Sequence, residues 1–336
     1  MKFGYNRTCL DHDPGPRHPE TADRLEAITE MLETTHTARL RHPDPADPET
    51  VTAVHAAEYV RSIEQISANG GGVLDSDTVA SERTWEAALA SVGLAEWAAM
   101  EAAEAEKSAD IPFALCRPPG HHALFDEAMG FCIFNNAAVA AQAAIDADRA
   151  ETVAIVDWDV HHGNGTEELF LDRSDVPFVS VHEDGLYPGS GRLSEQGEGN
   201  GDGATLNLPL EPGAGTASFV ALFEEVIGPW LERHDPELLL ISAGFDAHRN
   251  DPISRMELTT EGYGSLAARI LDIGTRIGCD IGYILEGGYG LDTLTAGVEM
   301  VHSVCNGYQP ESPTDAVRES DRERIERAKR IHGIGS

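Results

Sequence analysis

Lysine is nearly missing from this chain. Only Lys2, Lys107 and Lys329 occur in 336 residues, so arginine supplies most of the 24 basic side chains. Set against 58 Asp and Glu, they leave a net charge of −34. That balance excludes the basic footprint that a phosphate backbone needs, so nucleic acid is not expected as a direct partner. Cysteine is sparse as well. Cys9, Cys116, Cys132, Cys279 and Cys305 form no CxxC pair. An odd count without a secretory leader reads as reduced thiols in a cytoplasmic protein. The start, Met1-Lys2-Phe3-Gly4-Tyr5-Asn6, is too short and polar for such a leader. No apolar run reaches the roughly 18 residues of a spanning helix, so no membrane partner is expected.

Acid is what the chain has in excess. Strong net charge keeps a protein soluble where salt cuts the screening length to about 3 Å at 1 M. Steering of cationic substrates is the other reading of the same charge, and it would be weak in high salt. At roughly 150 residues per domain the length leaves room for two domains. The polar motifs argue for one, because they run from His121 to Tyr289 and make sense only together.

Short apolar runs mark strands at residues 2–5, 113–116, 152–157, 178–182, 205–208, 238–243 and 281–285. Helical spacing covers 21–35, 55–67, 84–106, 135–147, 216–233, 260–277 and 293–306. Trp85 and Trp97 read as core packing within the third of these helices. Residues 41–50 read as loop, and Gly70-Gly71-Gly72 as a flexible turn. Strands alternating with helices imply an α/β fold, a three-layer α/β/α stack around a mostly parallel sheet of about eight strands.

The centre of the chain is Thr152–Gly165, TVAIVDWDVHHGNG. An apolar strand runs into Asp157, Asp159 and His161, which alternate with Trp158 and Val160. Side chains two apart in a strand share a face, so two carboxylates and an imidazole converge. Open α/β sheets build their sites at this carboxyl edge. Oxygen and nitrogen donors at this spacing suit a Zn²⁺-like ion, and buried charge is costly unless it is paired or metal-bound. Three more strands end the same way: in Arg117-Pro118-Pro119-Gly120-His121-His122, in Ser242-Ala243-Gly244-Phe245-Asp246, and in Glu286-Gly287-Gly288-Tyr289. Adjacent histidines suit proton transfer. Asp246 would complete an Asp₂His set with an open position, the mark of catalytic zinc. A Tyr on a glycine hinge can stabilise an oxyanion.

Together and in this order, RPPGHHA, GFCIFNN, DWDVHHGNGT, SAGFDA and LEGGYG resemble the histone deacetylase-like amidohydrolases of the arginase/deacetylase fold. LEGGY and HHGNG are similar to the class II branch, which includes acetylpolyamine amidohydrolases. The resemblance covers about Cys9 to Gly307. It implies one catalytic domain over residues 1–310, with 311–336 a charged tail or peripheral helix. With the acidic composition, it points to a halophilic archaeal source.

By that resemblance, Asp159, His161 and Asp246 would hold one Zn²⁺. His122 would be the general base and then the acid, and His121 its electrostatic partner. Tyr289 would hold the oxyanion. Asp157 would orient His121 and help bind K⁺ or Na⁺ with Asp159, His161, Ser180 and Val181. Asn164 stands where class I members carry Asp, which removes a charge beside His122. Gly130, Phe131 and Tyr187 would line the acyl-lysine channel, although Tyr187 departs from the usual Phe. Asp77 would sit on the rim, and Arg24 would line an inner cavity for acetate. In the family a Glu seven residues past the last zinc Asp favours polyamines. Here that position is Ile253, which tilts the reading toward acetyl-lysine in proteins or peptides, with acetylated polyamines as the alternative.

Two other functional classes fit the sequence less well. An arginase-like ureohydrolase would want two Mn²⁺ and more bridging acids than HHGNG supplies. A non-catalytic acetyl-ligand sensor should have lost His122, Tyr289 or a metal ligand, and none is missing. The chain is compatible with a homo-oligomer.

Overall fold

The computed structural model describes residues 1–36, 38–104 and 110–335. Its strands, in chain order, are β1 (Lys2–Gly4), β2 (Gly71–Val73), β3 (Val79–Ser81), β4 (Pro112–Ala114), β5 (Val153–Asp157), β6 (Phe178–Glu183), β7 (Thr205–Leu210), β8 (Leu238–Ala243) and β9 (Asp280–Leu285). Among the described residues, seven of these form one sheet in the order β1-β4-β9-β8-β5-β6-β7, against the eight or so expected. Every neighbouring pair in it is parallel.

The helices are α1 (Asp23–Thr35), α2 (Pro48–Val51), α3 (Ala57–Ala68), α4 (Thr84–Glu104), α5 (Asn136–Asp146), α6 (Asn164–Phe170), α7 (Thr216–Leu222), α8 (Gly228–His234), α9 (Thr260–Ile277), α10 (Leu291–Cys305) and α11 (Glu319–Ile331). A parallel sheet must be covered on both faces. α4 and α5 pack on each other and on β4, β5, β8 and β9, while α9 and α10 pack together with α9 on β9. The result is the three-layer α/β/α stack.

Burial explains the apolar runs. All residues of β5 and all of β8 are buried, and the two strands pair from Val153↔Leu238 to Asp157↔Ser242. Each fully buried Val, Ile or Leu side chain contributes about 1.5–3 kcal/mol, so this pair is a firm base for what its ends carry. α9 is capped at its start by Thr259, whose side chain accepts from Gly262 N, and at its end by Gly278 with φ +76°. In α11, Asp321, Ile325 and Ala328 are buried. No helix of the described residues is long and apolar enough to cross a membrane.

Several local expectations need correction. The helix expected over 84–106 is described as far as Glu104, and its last two residues lie outside the described residues. Gly71 and Gly72 are not a free turn but part of β2, which pairs with β3. Gly71 has φ +94°, and a Cβ there would meet the Ala80 backbone, so only glycine fits. Residues 216–233 are not one regular helix. A wide turn at Phe223–Ile227 separates α7 from α8. Pro229 lacks an N–H and its ring would crowd the carbonyl of Glu225, so the ladder shifts there. Within the expected 41–50 loop, Asp47 caps the short helix α2 by accepting from Glu49 N at 2.9 Å. Finally, β5 stops at Asp157, and residues 158–163 are not strand.

Candidate active site

Four neighbouring parallel strands, β4, β9, β8 and β5, end at one edge, and each hands polar residues to it. β5 does so through side chain-to-backbone turns. Asp157 Oδ1 accepts from Asp159 N at 3.0 Å, and Asp159 Oδ1 accepts from His161 N at 2.9 Å. A carboxylate bonded two residues on replaces a ladder bond and bends the chain. The three residues expected to share a strand face therefore converge by these turns instead. The segment stays tied to its neighbours by Trp158 N to Ser242 O at 3.1 Å and Glu183 N to Val160 O at 2.8 Å.

Asp159, His161 and Asp246 place their donor atoms within 4.8 Å of one another. His161 Nδ1 faces Asp159 Oδ1 at 3.0 Å and Asp246 Oδ2 at 3.3 Å. The remaining oxygens are steered by backbone donors. Gly287 N reaches Asp159 Oδ2 at 2.8 Å, and Val160 N reaches Asp246 Oδ1 at 2.9 Å. A Cβ on Gly287 would run into both carboxylates, so glycine is required there. Asp246 Oδ2 is buried, and its polar partner is the His161 imidazole at 3.3 Å. Burial, with Asp159 beside it, pushes the Asp246 carboxyl up to about 7. Burial opposes charge on His161, but its bonds to Asp159 and Asp246 carry it up to about 10. Two buried acids that force a proton onto the imidazole between them form a donor set suited to a divalent cation, which would replace that proton.

The histidine pair follows β4. The rings of His121 and His122 lie 4.0 Å apart. His121 Nδ1 meets Asp157 Oδ2 at 2.8 Å, and its Nε2 is 3.8 Å from Asp159 Oδ1. Burial opposes its charge, but Asp157 and then Asp159 raise it to about 10. His122 goes the opposite way. Burial, then the charges of His121 and His161, push it well below the usual range. Its Nδ1 lies 2.7 Å from Asn164 Oδ1, while Asn164 Nδ2 faces Met129 Sδ at 3.4 Å. An amide oxygen only accepts, so Nδ1 carries the hydrogen and Nε2 keeps its lone pair. Asn164 opens α6, which was not anticipated.

Tyr289 follows β9. Asp251 Oδ2 accepts from Tyr289 N at 2.7 Å and from Gly290 N at 3.0 Å. The Arg24 guanidinium lies over the Tyr289 ring at 5.1 Å. Burial raises the Tyr289 hydroxyl well above its usual range, so it stays protonated. Phe131 meets Tyr289 edge-on at 5.8 Å, and Tyr187 meets His122 edge-on at 5.2 Å. Gly130 lies so close that a Cβ would strike the His122 ring. Asp77 is partly exposed on the β2–β3 loop. Ile253 is partly buried beside Asp251, whose Oδ1 accepts from Ile253 N at 3.1 Å. Ser180 pairs with Asp157 in register, but its hydroxyl is 3.0 Å from His182 Nδ1. Val181 follows on the same strand.

Some residues were given no role from sequence. Glu286 is fully buried at the end of β9. It accepts from Gly120 N at 2.8 Å and His121 N at 3.3 Å, and so holds the histidine turn. Its sequence signal is the one that marks Asp157, a carboxylate at the end of an apolar strand. Asp251 and Glu20 gave no comparable signal. Glu20 is buried with Arg117 and Arg24, and Arg24 is fully enclosed.

Residues 18–305 match the family model described as Histone deacetylase domain. The chain is 38% identical over 309 residues to the histone deacetylase-like amidohydrolase of Pseudomonas aeruginosa, covering 85% of this chain and 81% of that one. It is 36% identical over 348 residues to histone deacetylase 10, chloroplastic, of Oryza sativa, covering 94% and 78%. A probable deacetylase of Archaeoglobus fulgidus is 37% identical over 297 residues, covering 86% and 81%. The crystal structure of the HDA15 HD domain is similar with a TM-score of 0.90 at 34% identity, covering 98% of this chain and 93% of that one.

Proposed function

Because the chain belongs to the histone deacetylase family, we propose that it is a zinc-dependent amidohydrolase that removes acetyl groups from lysine side chains of proteins. The observation that carries this reading is the cluster of Asp159, His161 and Asp246 with the His122 ring 5.8 Å from that of His161. One Zn²⁺ held by those three residues would polarise the amide carbonyl and make water a stronger nucleophile. His122, kept neutral by its neighbours, takes the water proton at Nε2, because Nδ1 is engaged by Asn164. Asp157 keeps His121 cationic and oriented, which stabilises negative charge developing nearby. The protonated Tyr289 hydroxyl donates to the oxyanion. His122 then passes its proton to the leaving amine. A structural K⁺ or Na⁺ beside Asp157, Ser180 and Val181 belongs to the same reading.

Ile253 favours acetyl-lysine. An apolar side chain at the rim offers no carboxylate to the free ammonium of an acetylated polyamine. The acidic, lysine-poor composition supports work in the cytoplasm of a salt-loving cell. The test compares kcat/KM for an acetyl-lysine peptide and for acetylputrescine, with zinc-loaded protein. The peptide should win by about tenfold or more, an apolar-versus-charged difference of roughly 1.4 kcal/mol. The reverse order would make the protein an acetylpolyamine amidohydrolase. Hydrolysis of neither would end the deacetylase reading.

A further inference from the structure

One hydroxyl joins the rim to the wall of the site. Thr78 is buried in the loop between β2 and β3. Its oxygen accepts from Phe131 N at 2.9 Å, and its hydrogen goes to Asp77 Oδ1 at 3.0 Å. A threonine hydroxyl can serve both partners at once.

Phe131 needs such a tie. Its φ is +70°, a left-handed conformation that a bulky residue keeps only where its surroundings enforce it. The residue is also placed where small shifts matter. Its ring meets Tyr289, and Gly130 before it lies against His122.

A second link runs in parallel. Glu20 N donates to His18 Nδ1 at 3.1 Å, so His18 Nε2 carries the hydrogen donated to the Asp77 carbonyl at 3.2 Å. The His18 ring packs edge-on to Phe131 at 4.5 Å. Asp77 and Phe131 are thus clamped together twice, once through a hydroxyl and once through an imidazole. The Asp77 carboxylate itself is partly exposed, and burial first, then this carboxylate, raises the Tyr187 phenol.

We infer that Thr78 is a positioning residue whose hydroxyl fixes the spacing between the Asp77 carboxylate at the rim and the Phe131 wall. The inference rests on the deacetylase reading and narrows its substrate class. Fixed spacing between an acceptor outside and an aromatic wall inside suits a substrate with N–H donors at one end and an acyl-methylene stem at the other. An acetyl-lysine within a peptide has both, and N-pentylacetamide has only the stem.

Thr78→Val removes both bonds at nearly constant shape, and Thr78→Ser keeps the hydroxyl. For an acetyl-lysine peptide, Thr78→Val should raise KM about tenfold and hold kcat within about twofold, because ground-state positioning is lost without change at the reacting atoms. For N-pentylacetamide the rise should be smaller, and Thr78→Ser should restore the native KM. Hydrogen exchange at the Phe131 amide gives a readout without turnover. It should speed up about tenfold in Thr78→Val and stay near native in Thr78→Ser, since that amide loses its acceptor only in the former. An unchanged KM, an equal rise for both substrates, a kcat collapse, or unchanged exchange at Phe131 in Thr78→Val would each overturn the inference. Absence of turnover in the native protein would end the deacetylase reading, and exchange at Phe131 would then decide the Thr78 tie alone.

Discussion

Two polar clusters are buried side by side in this protein, and they solve the cost of buried charge in opposite ways. In the first, Glu20 meets Arg117 at 2.7 Å, Arg24 at 3.3 Å and His12 at 3.8 Å. Carbonyls take further guanidinium donors: Arg117 donates to Cys9 O and His12 O, and Arg24 to Gly288 O and Glu286 O. The positive charge of the two arginines is permanent, although Glu20 Oε2 finds no hydrogen-bond donor among the described residues and faces His12 Nε2 at 3.8 Å. In the second, Asp157, Asp159, Asp246 and Glu286 are all buried, and the cations among them are protons on His121 and His161. That cluster is short of fixed positive charge, and Asp246 Oδ2 faces the His161 imidazole at 3.3 Å. The first arrangement carries permanent cations of its own, and the second is a donor set that suits a cation from outside. They touch through Arg24, which grips the Glu286–Gly288 carbonyls beneath Tyr289.

The sharpest way to break the contrast is to remove one partner from each cluster. Arg117→Met should destabilise the protein by about 3–5 kcal/mol, because it strands part of a buried ion network. Asp246→Asn should leave the metal-free protein at least as stable as native, since it relieves like charge, while abolishing zinc binding. Urea midpoints for the two variants, set beside native metal-free protein, measure this. Equal losses would erase the distinction.

Next comes chemistry without stability. Tyr289→Phe removes one donor and nothing else, so kcat should fall about 10²–10³-fold with little change in KM or urea midpoint. A near-native kcat would remove Tyr289 from the oxyanion role.

The smallest effect is in pH, where the clusters should show opposite signs. Burial works to raise the Glu20 carboxyl, but Arg117 and Arg24 hold it below its usual range. Its stabilisation is present above the ordinary carboxylate pKa of about 4.3 and is lost as pH falls through the lower folded value. Burial raises Glu286 to about 7 against the pull of His121. Its contribution is intact below about pH 4.3 and is lost as pH rises through 7, on the order of 3 kcal/mol. Melting temperature of metal-free protein against pH should therefore fall on the neutral side, and Glu286→Gln should flatten that limb. An unchanged slope would mean that Glu286 does not titrate there.

What could be read from sequence follows the same divide. Asp159, His161, Asp246, the histidine pair and Tyr289 stood out because each ends an apolar run, where a polar residue must be explained. The layer architecture was legible from alternating elements, but the strand order was not, because pairing of β4 with β9 joins residues far apart in the chain. The alternation at Asp157–His161 grouped the residues that converge, yet for a backbone reason that differs: carboxylates capping their own chain ended the strand early. The arginine-bound cluster stayed hidden. Glu20 and Arg117 are 97 positions apart, and nothing local marks either as buried. Thr78 and Asp251 escaped for the same reason, since their partners are brought in only by the fold.

The most direct test of the account is a titration of Zn²⁺ into metal-free protein while the amine released from an acetyl-lysine peptide is followed. Activity should rise in proportion to zinc and level off at one equivalent per chain. No amine at any zinc level, or a plateau only at two equivalents, would contradict a single ion held by Asp159, His161 and Asp246.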